Sequence, residues 1–292
     1  MVSVNYIIMP NVKKPEAMKF TPVVADYLRS KGQKVFVMPD ITSLLSGFDF
    51  EVATPEDIPD DSMVISLGGD GTLIRNVRRL GRYDMPVAGI NFGHLGFLTA
   101  CNPDGAFELL DRIVLRNYAT VSRMLLNVRL CRNNGVVKSE LALNEAAISR
   151  GTCSRALSIR LSVGGENLGT FTADGLLVST PTGSTAYNFS AGGPVILPNV
   201  DAIAVTPLCS RLLLNHSFIA SGSDTVSIET QMPAEPDDGA SPILVVDSCV
   251  RCSIKSSDVI KISKSEYSIK TVCPLDSGSV ISYRKKIIQS EK

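Results

Sequence analysis

The stretch MVISLGGDGTLIRNVRRLG, residues 63–81, decides the fold class of the chain. An apolar run that is typical of a buried strand breaks at Gly68, Gly69 and Gly71 and then continues as a helix-like segment. Glycine loses more backbone freedom on folding than other residues, so three glycines within four positions indicate a turn that side chains would obstruct. A strand, a glycine turn and a helix in this order predict one step of a parallel α/β sheet.

The segments around this stretch repeat the alternation of strand and helix. Short apolar runs bounded by Pro or Gly predict strands at 4–10, 34–39 and 86–91. Helical spacing predicts helices at 21–32 and 103–117; Pro22 either opens the first of these or kinks a longer helix that begins near Pro15. Residues 1–117 are therefore expected to form a Rossmann-like parallel α/β domain.

From Tyr118 onward the sequence is typical of an all-β domain. Asn134-Gly135 and Gly164-Gly165 each lie between strand-like runs and predict hairpin turns. The fold class is thus α/β plus all-β, with a C-terminal multi-stranded β-sandwich at 118–276. The last segment, 277–292, regains helical character, and we expect it to complete the first domain.

Composition excludes several classes of protein. The 292 residues are 44% hydrophobic, and 29 basic residues balance 29 acidic ones, so a nucleic-acid partner is disfavoured. The N-terminus has neither a basic start nor a long apolar run, which predicts a cytoplasmic protein without a membrane partner. Seven scattered cysteines predict reduced thiols, and Cys249 and Cys252 alone do not make a metal site.

The turn around Asp70 points to phosphate chemistry. Neither of the two commonest phosphate-binding loops, the Walker A motif and the dinucleotide fingerprint, occurs in the sequence. A glycine turn at the start of a helix can nevertheless hold phosphate through exposed N–H groups. Phosphate would repel the acid unless a metal or a proton transfer gave it a role, whereas a simple helix cap by Asp70 and Thr72 is equally compatible with the sequence.

Three further segments carry polar groups next to predicted strands. The segment 173–194 is dense in hydroxyls and contains Tyr187, which suits a polar planar ligand, although a Ser/Thr-rich surface loop is the alternative. Asn144-Glu145 suits the paired hydroxyls of a ribose or is merely a strand end. In the segment 89–99, His94 and Phe97 are ligand contacts or core residues.

Together and in this order, GGDGT, GINFGHLGFLT, LNEAAISRG and DGLLVSTPTGSTAY resemble the NAD kinase family, which phosphorylates the 2′-hydroxyl of the adenosine ribose of NAD. Two alternatives stay open. Diacylglycerol and sphingosine kinases carry a similar glycine-aspartate turn, and a sensor could bind NAD without turnover.

The resemblance implies roles for individual residues. Asp70 takes the proton from the ribose hydroxyl, Asn144 and Glu145 bind hydroxyls of the dinucleotide, Asp174 lies on the nicotinamide side, and Asp247 is an acid near the ligand. The full set of nucleotide-binding positions that it implies is Gly68, Gly69, Gly71, Thr72, Arg75, His94, Phe97, Asn144, Glu145, Arg155, Asp174, Thr182, Thr185, Ala186, Tyr187, Asn188, Ser190, Cys209 and Asp247.

The resemblance also implies cofactors and assembly. Mg²⁺ or Mn²⁺ arrives with ATP and needs no dedicated metal site, and the β domain assembles a homodimer or homotetramer. The sequence departs from the family pattern at Thr172, where a basic residue is frequent, and at Ser248-Cys249, where glutamine is common.

Overall fold

The structure is a computed structural model that describes residues 4–45, 47–59, 61–80, 85–93, 96–153, 155–210, 216–231 and 241–273. The predicted helical segment 277–292 lies outside the described residues. The chain divides into two compact units, with boundaries after residue 122 and after residue 268. The second unit is the segment 123–268, and the first combines the preceding residues with the segment that follows it.

The first unit is built around a parallel sheet. Its elements are β1 (Asn5–Pro10), α1 (Pro15–Ser30), β2 (Lys34–Val37), α2 (Pro39–Thr42), β3 (Glu51–Val52), β4 (Ser62–Gly68), α3 (Asp70–Leu80), β5 (Pro86–Asn91) and α4 (Ala106–Val114), with 3₁₀ turns at Pro55–Asp57 and Pro103–Gly105. Strands β3, β2, β1, β4 and β5 lie side by side in that order, and all their pairings are parallel. The Rossmann-like prediction is therefore confirmed.

The strand order places a crevice beside the glycine turn. The chain runs outward from β1 to β2 and β3, then returns to the other side of β1 to form β4 and β5. Ligands of such sheets bind where this reversal occurs, at the carboxyl ends of the strands. Here those ends are Pro10 of β1, Gly68 of β4 and Asn91 of β5.

Two helices differ from simple expectations. Helix α1 is one continuous helix with Pro22 inside it, so Pro22 does not open it; the neighbouring Thr21 hydroxyl donates to the Ala17 carbonyl at 2.9 Å. Helix α3 begins at Asp70, because the N–H groups of Thr72 and Leu73 already donate to the Gly69 carbonyl at 2.9 and 3.1 Å. Asp70 is thus part of the helix rather than of the turn before it.

The second unit is a sandwich of two sheets. Its elements are β6 (Ala119–Arg132), β7 (Gly135–Ala142), β8 (Glu145–Ser149), β9 (Leu157–Val163), β10 (Glu166–Ala173), β11 (Gly175–Ser179), a 3₁₀ turn at Gly183–Thr185, α5 (Tyr187–Ser190), β12 (Ala202–Leu208), β13 (Phe218–Ser221), β14 (Val226–Gln231), β15 (Ile243–Val246), β16 (Val250–Ser253) and β17 (Asp258–Cys273). Strands β6 and β17 each extend across a unit boundary; the far end of β17 pairs in parallel with β5 in the first unit.

Apolar side chains from both sheets form one core. One sheet contains β10, β9, β14 and β17 in that order, with β6 beside β17 and β7 beside β6, and the other has the order β13, β12, β11, β8, β15, β16. Ile159 of the first sheet and Val178 of the second are fully buried members of the shared core. Both predicted hairpins are present, so the all-β prediction is confirmed as well. The first turn is at Asn133 and Asn134, which both have positive φ, one residue before the predicted pair, because Gly135 in β7 already pairs with Arg132.

An ion pair between a buried carboxylate and a partly exposed guanidinium connects β6 to β17. The guanidinium of Arg132 donates to both carboxylate oxygens of Asp258 at 2.7 and 2.8 Å, and the N–H of Lys255 donates to the same carboxylate at 2.8 Å. The Asp258 side chain is fully buried. The Arg132 guanidinium lowers the pKa of Asp258, with a further contribution from the Lys255 N–H.

We expect Asp258→Asn to lower the free energy of unfolding by about 2 kcal/mol at pH 7, because it removes the charge-assisted hydrogen bonds between Asp258 and Arg132. A lowered pKa gives stability above the unfolded-state pKa of about 3.9 that is lost as pH falls through the folded-state value. The difference between the proteins should therefore shrink below about pH 4. Urea unfolding at pH 7 and pH 3.5 measures this, and the exposed pair Lys264–Asp201, 2.8 Å apart, gives the control Asp201→Asn. An equal loss in both variants would contradict the role of the Arg132–Asp258 pair.

Candidate functional site

Asp70 connects the glycine turn to the loop that follows β5. Its Oδ2 accepts the N–H of Phe97 at 2.7 Å, and its Oδ1 accepts the N–H and the hydroxyl of Thr99, each at 3.2 Å. The N–H of Leu98 lies 3.3 Å from both oxygens. In the described part of the chain, the donors to Asp70 come from this loop and not from its own helix. The simple helix cap is therefore not its structural role.

Gly68, Gly71 and Gly96 have different structural roles near Asp70. A Cβ on Gly68 would lie 2.6 Å from Thr72 Cβ, so glycine lets the first turn of α3 close onto the strand end. A Cβ on Gly71 would meet nothing within 4 Å, which leaves the backbone there open to an approaching ligand. A Cβ on Gly96 would collide with the Asp70 carboxyl group. Gly96 thus allows Asp70 to reach the loop, and the sequence analysis missed this role.

Two cations belong to this part of the first unit. Lys14, between β1 and α1, donates from Nζ to the Phe92 carbonyl oxygen at 3.1 Å. The same Nζ would be 3.5 Å from a Cβ on Gly93. Lys14 therefore reaches from the end of β1 past β4 to the end of β5. Arg75 is exposed on α3, one turn beyond Asp70.

In the second unit, Asn144 and Glu145 are held by the carboxylate of Asp247. Its Oδ1 accepts the N–H groups of Asn144 and Glu145 at 2.8 and 3.0 Å, and its Oδ2 accepts the N–H of Leu143 at 2.8 Å. Asp247 itself lies in the turn between β15 and β16 with φ +47° and is buried. An acid in this left-handed turn therefore fixes the start of β8 by three main-chain hydrogen bonds.

The segment after β11 closes on the same residues. The hydroxyl of Thr180 donates to the Leu143 carbonyl at 2.5 Å and accepts the Gly183 N–H at 3.0 Å. A Cβ on Gly183 would lie 2.6 Å from Asn144 Cα. Thr180 and Gly183 therefore position Asn144, and neither was assigned a role from the sequence; the glycine inside the hydroxyl-rich stretch was the available signal.

Glu145 is a buried acid with an unusual environment. Its side chain is 6% exposed, and its Oε2 atom has no hydrogen-bond partner among the described residues. Burial, reinforced by the neighbouring negative charge of Asp247, raises the pKa of Glu145 to about 8. Glu145 is therefore mainly protonated at neutral pH and can donate a hydrogen bond.

The hydroxyl-rich segment does not face outward as a whole. The Ser184 hydroxyl donates to the Pro181 carbonyl at 2.6 Å, and the Asn188 amide oxygen accepts the Thr206 hydroxyl at 2.7 Å, with both Ser184 and Asn188 fully buried. Thr182 is also buried, and its hydroxyl accepts from Arg123 at 3.3 Å. These side chains shape the segment, so Asn188 is engaged by protein groups rather than open to a ligand.

The remaining part of that segment is accessible. Thr185 and Ala186 are half-buried, Ser190 is exposed, and Tyr187 is 48% exposed. These four positions, unlike the buried hydroxyls, present surface to which a planar group could bind.

The predicted residues of this unit gather at two ends of one sheet. Glu145 is paired with Ser179 at one end of β8 and β11, and Ser149 is paired with Gly175 at the other. At that second end, the carboxylate atom Oδ1 of Asp174 lies 3.4 Å from Arg150 Nε, and the Asp174 N–H donates to the Leu208 carbonyl at 2.9 Å. Cys209, the residue after Leu208, is exposed and has φ +50°. Four residue steps along a strand separate the two ends by about 13 Å.

The remaining predicted site residues include Arg155, Phe97 and His94. Arg155 is exposed in the loop before β9, and Phe97 is half-buried. His94 lies outside the described residues. Within the described ranges there is no group of three or more His, Cys, Asp or Glu side chains arranged to hold a metal. Among the same residues, no helix is long and apolar enough to cross a membrane.

Comparison with known proteins gives family matches in both units. Residues 7–118 match the family model of the ATP-NAD kinase N-terminal domain, and residues 143–273 match that of the ATP-NAD kinase C-terminal domain. An NAD kinase of Symbiobacterium thermophilum is 36% identical over 92% of this chain and 93% of its own length. One from Geotalea daltonii is 34% identical over 91% of each chain.

Two solved structures share the fold. The crystal structure of yeast NADH kinase complexed with NADH has a TM-score of 0.89 and covers 99% of this chain and 89% of its own, at 22% identity. An NAD kinase from Archaeoglobus fulgidus in complex with ATP has a TM-score of 0.71, with 98% and 99% coverage and 22% identity.

The contact between Gly96 and Asp70 leads to a stability prediction. Gly96→Ala should lower the free energy of unfolding by about 1–3 kcal/mol, because the new methyl group forces the Asp70 carboxyl group or its loop to move. Gly71→Ala is the matched control: its methyl group meets nothing, and alanine favours a helix by up to about 1 kcal/mol over glycine. Urea unfolding of the three proteins measures the effect. If Gly96→Ala were as stable as the wild type, Asp70 would not be held as described.

Proposed function

This chain belongs to the NAD kinase family, and we propose that it transfers the terminal phosphate of ATP to the 2′-hydroxyl of the adenosine ribose of NAD, giving NADP. The observation that carries the proposal is the acid Asp70 at an open glycine turn beside the crevice of a parallel sheet. A bond forms between the ribose 2′-oxygen and the γ-phosphorus as the γ-phosphorus separates from ADP, and Asp70 receives the hydroxyl proton.

Asp70 is suited to this task by its position more than by its strength as a base. In a loose phosphoryl-transfer transition state the hydroxyl proton is lost late, so alignment and charge neutralisation are the main requirements. Four contacts to the loop 97–99 fix the carboxyl group, which limits its rotation. A general base in such a position contributes on the order of 10² to 10⁴ in rate.

We assign NAD recognition to the second unit. Asn144 and Glu145 bind hydroxyls of the dinucleotide at one end of β8, and Thr185, Ala186, Tyr187 and Ser190 bind its adenine half. Asp174, at the other end, serves the nicotinamide side. Two ends about 13 Å apart along a strand suit an elongated ligand better than a compact one. Arg75, Arg155 and Phe97, as exposed or half-buried residues, remain proposed contacts to phosphate, ribose and adenine.

We assign the donor phosphates to the first unit, at Gly68, Gly69 and Gly71. We propose that Mg²⁺ or Mn²⁺ arrives with ATP and is held mainly by triphosphate oxygens and water. The ion neutralises negative charge on the phosphates when it is bound. Lys14 adds a fixed positive charge at the same sheet edge.

The alternative functions, the location and the assembly of the chain rest on separate observations. Neither a lipid kinase nor a non-catalytic sensor is supported by the relatives that match most of the chain. We propose a cytoplasmic location, supported by seven free cysteines that suit a reducing compartment. We also propose a homodimer or homotetramer, supported by Val136 and Val137, which are 54% and 50% exposed on β7, a strand whose partner in the described sheet is β6.

Asp70→Asn tests the catalytic assignment. We expect NADP formation to fall at least 100-fold, the lower range of a general-base contribution, while the dissociation constant for NAD changes by less than about threefold. A coupled assay of NADP and calorimetric titration with NAD measure the two quantities. Asp111→Asn is the control, because Asp111 is an acid of the same unit whose partner is Lys31, 2.9 Å away. Turnover within about threefold of the wild type would remove Asp70 from the chemistry.

Lys14→Met tests the donor assignment. The substitution keeps most of the side-chain length and removes the charge, so the KM for ATP should rise about tenfold, the value of one hydrogen bond to a charged group. The KM for NAD should change much less. Lys13→Met is the matched control, since Lys13 is exposed in the same loop. Equal ATP effects in the two variants would assign Lys14 to the structure alone.

A further inference from the structure

Two acids lie next to each other where β8 begins: Glu145 is its first residue, and Asp247 accepts the Glu145 N–H at 3.0 Å. Asp247 accepts three main-chain N–H groups at 2.8 to 3.0 Å, which favours its ionised form. Among the described residues, none donates a hydrogen bond to Glu145 Oε2, and Glu145 is 6% exposed. Two neighbouring carboxyl groups in such different surroundings divide into one that keeps its charge and one that keeps its proton.

We infer that Glu145 meets NAD as a neutral carboxylic acid that donates a hydrogen bond to an acceptor atom of the dinucleotide, and that Asp247 is the positioning residue that holds it there. The inference rests on the proposed function and deepens it. It changes the role of Asp247 from ligand contact to positioning residue, because its carboxylate oxygens are engaged by the N–H groups of residues 143–145.

Among the described residues, Asp247 is the charged group that shifts the pKa of Glu145. Asp247 faces Glu145 from the turn between β15 and β16, and its charge adds to burial in raising the pKa of Glu145 to about 8. From β11 and the segment behind it, the neighbours are Ser179 and Thr180, which are uncharged. Arg123, a buried cation of the same unit, donates to Thr182 and is not among the groups that shift Glu145.

A neutral acid has a chemical advantage for this ligand. A carboxylate only accepts hydrogen bonds, whereas a carboxylic acid also donates one, so it can bind an acceptor oxygen without bringing a further negative charge to an anionic dinucleotide. When Glu145 ionises, the donor is lost and a second negative charge appears beside Asp247. NAD affinity should therefore decline as pH rises through the pKa of Glu145.

The experiment is calorimetric titration with NAD from pH 6 to pH 9.5. For the wild type, we expect affinity that is nearly constant up to pH 7 and about tenfold weaker at pH 9 than at pH 7, because one tenth of Glu145 then remains protonated. Glu145→Gln keeps a donor that cannot ionise, so its affinity should not change over this range. Glu229→Gln, at an exposed site on β14, should follow the wild type. A wild-type decline that persists in Glu145→Gln would overturn the inference.

A second measurement separates this inference from the proposed function. In protein labelled with ¹³C at glutamate side-chain carboxyls and free of NAD, one resonance should titrate near pH 8 and be missing in Glu145→Gln. Asp247→Asn should move that midpoint to lower pH, because it removes the neighbouring charge. If the resonance that is missing in Glu145→Gln titrates near the ordinary glutamate value in the wild type, the inference is overturned even if NAD is phosphorylated. A protein that shows the resonance without converting NAD refutes the proposed function instead.

Discussion

The hydrogen bonds between the Asp70 carboxyl group and the loop 97–99 are the interaction on which the first unit's site depends. They require Gly96, whose missing side chain leaves room for the carboxyl group, and Gly68, which lets α3 begin immediately after β4. They join the carboxyl ends of β4 and β5 at the edge where parallel sheets bind ligands. The first residue of α3 is therefore an acid held in a fixed place by the loop after β5.

The second unit uses the same physical device with a different result. Asp247 accepts N–H groups of residues 143–145, just as Asp70 accepts those of 97–99, and each acid thereby fixes a strand-end loop. The difference lies in exposure. Asp70 is half-buried at an open turn, whereas Asp247 is buried behind the residues that it positions. One acid is therefore available for chemistry, and the other fixes the geometry of a neighbour.

Much of the architecture was predictable because it depends on local pattern. The apolar spacing and the glycines of residues 63–81 identified β4, the turn and α3, and Asn134-Gly135 identified a hairpin, whose two left-handed residues are Asn133 and Asn134. The role of Asp70 in the loop 97–99 was not predictable, because its partners are 27 to 29 residues away. The inward direction of Ser184 and Asn188 was equally hidden, since a hydroxyl or an amide suits a ligand and a protein carbonyl alike. The family resemblance predicts which residues form the site, but only contacts distinguish a ligand-facing acid from a positioning one.

In the proposed reaction, the chain phosphorylates NAD at the 2′-hydroxyl of its adenosine ribose. The most direct measurement is two-dimensional ¹H–³¹P NMR of the product formed from NAD, ATP and Mg²⁺ by the purified protein. We expect a new phosphomonoester resonance that is coupled to the 2′ proton of the adenosine ribose. Phosphate at another position, or no new phosphomonoester while ATP and NAD both bind, would contradict it.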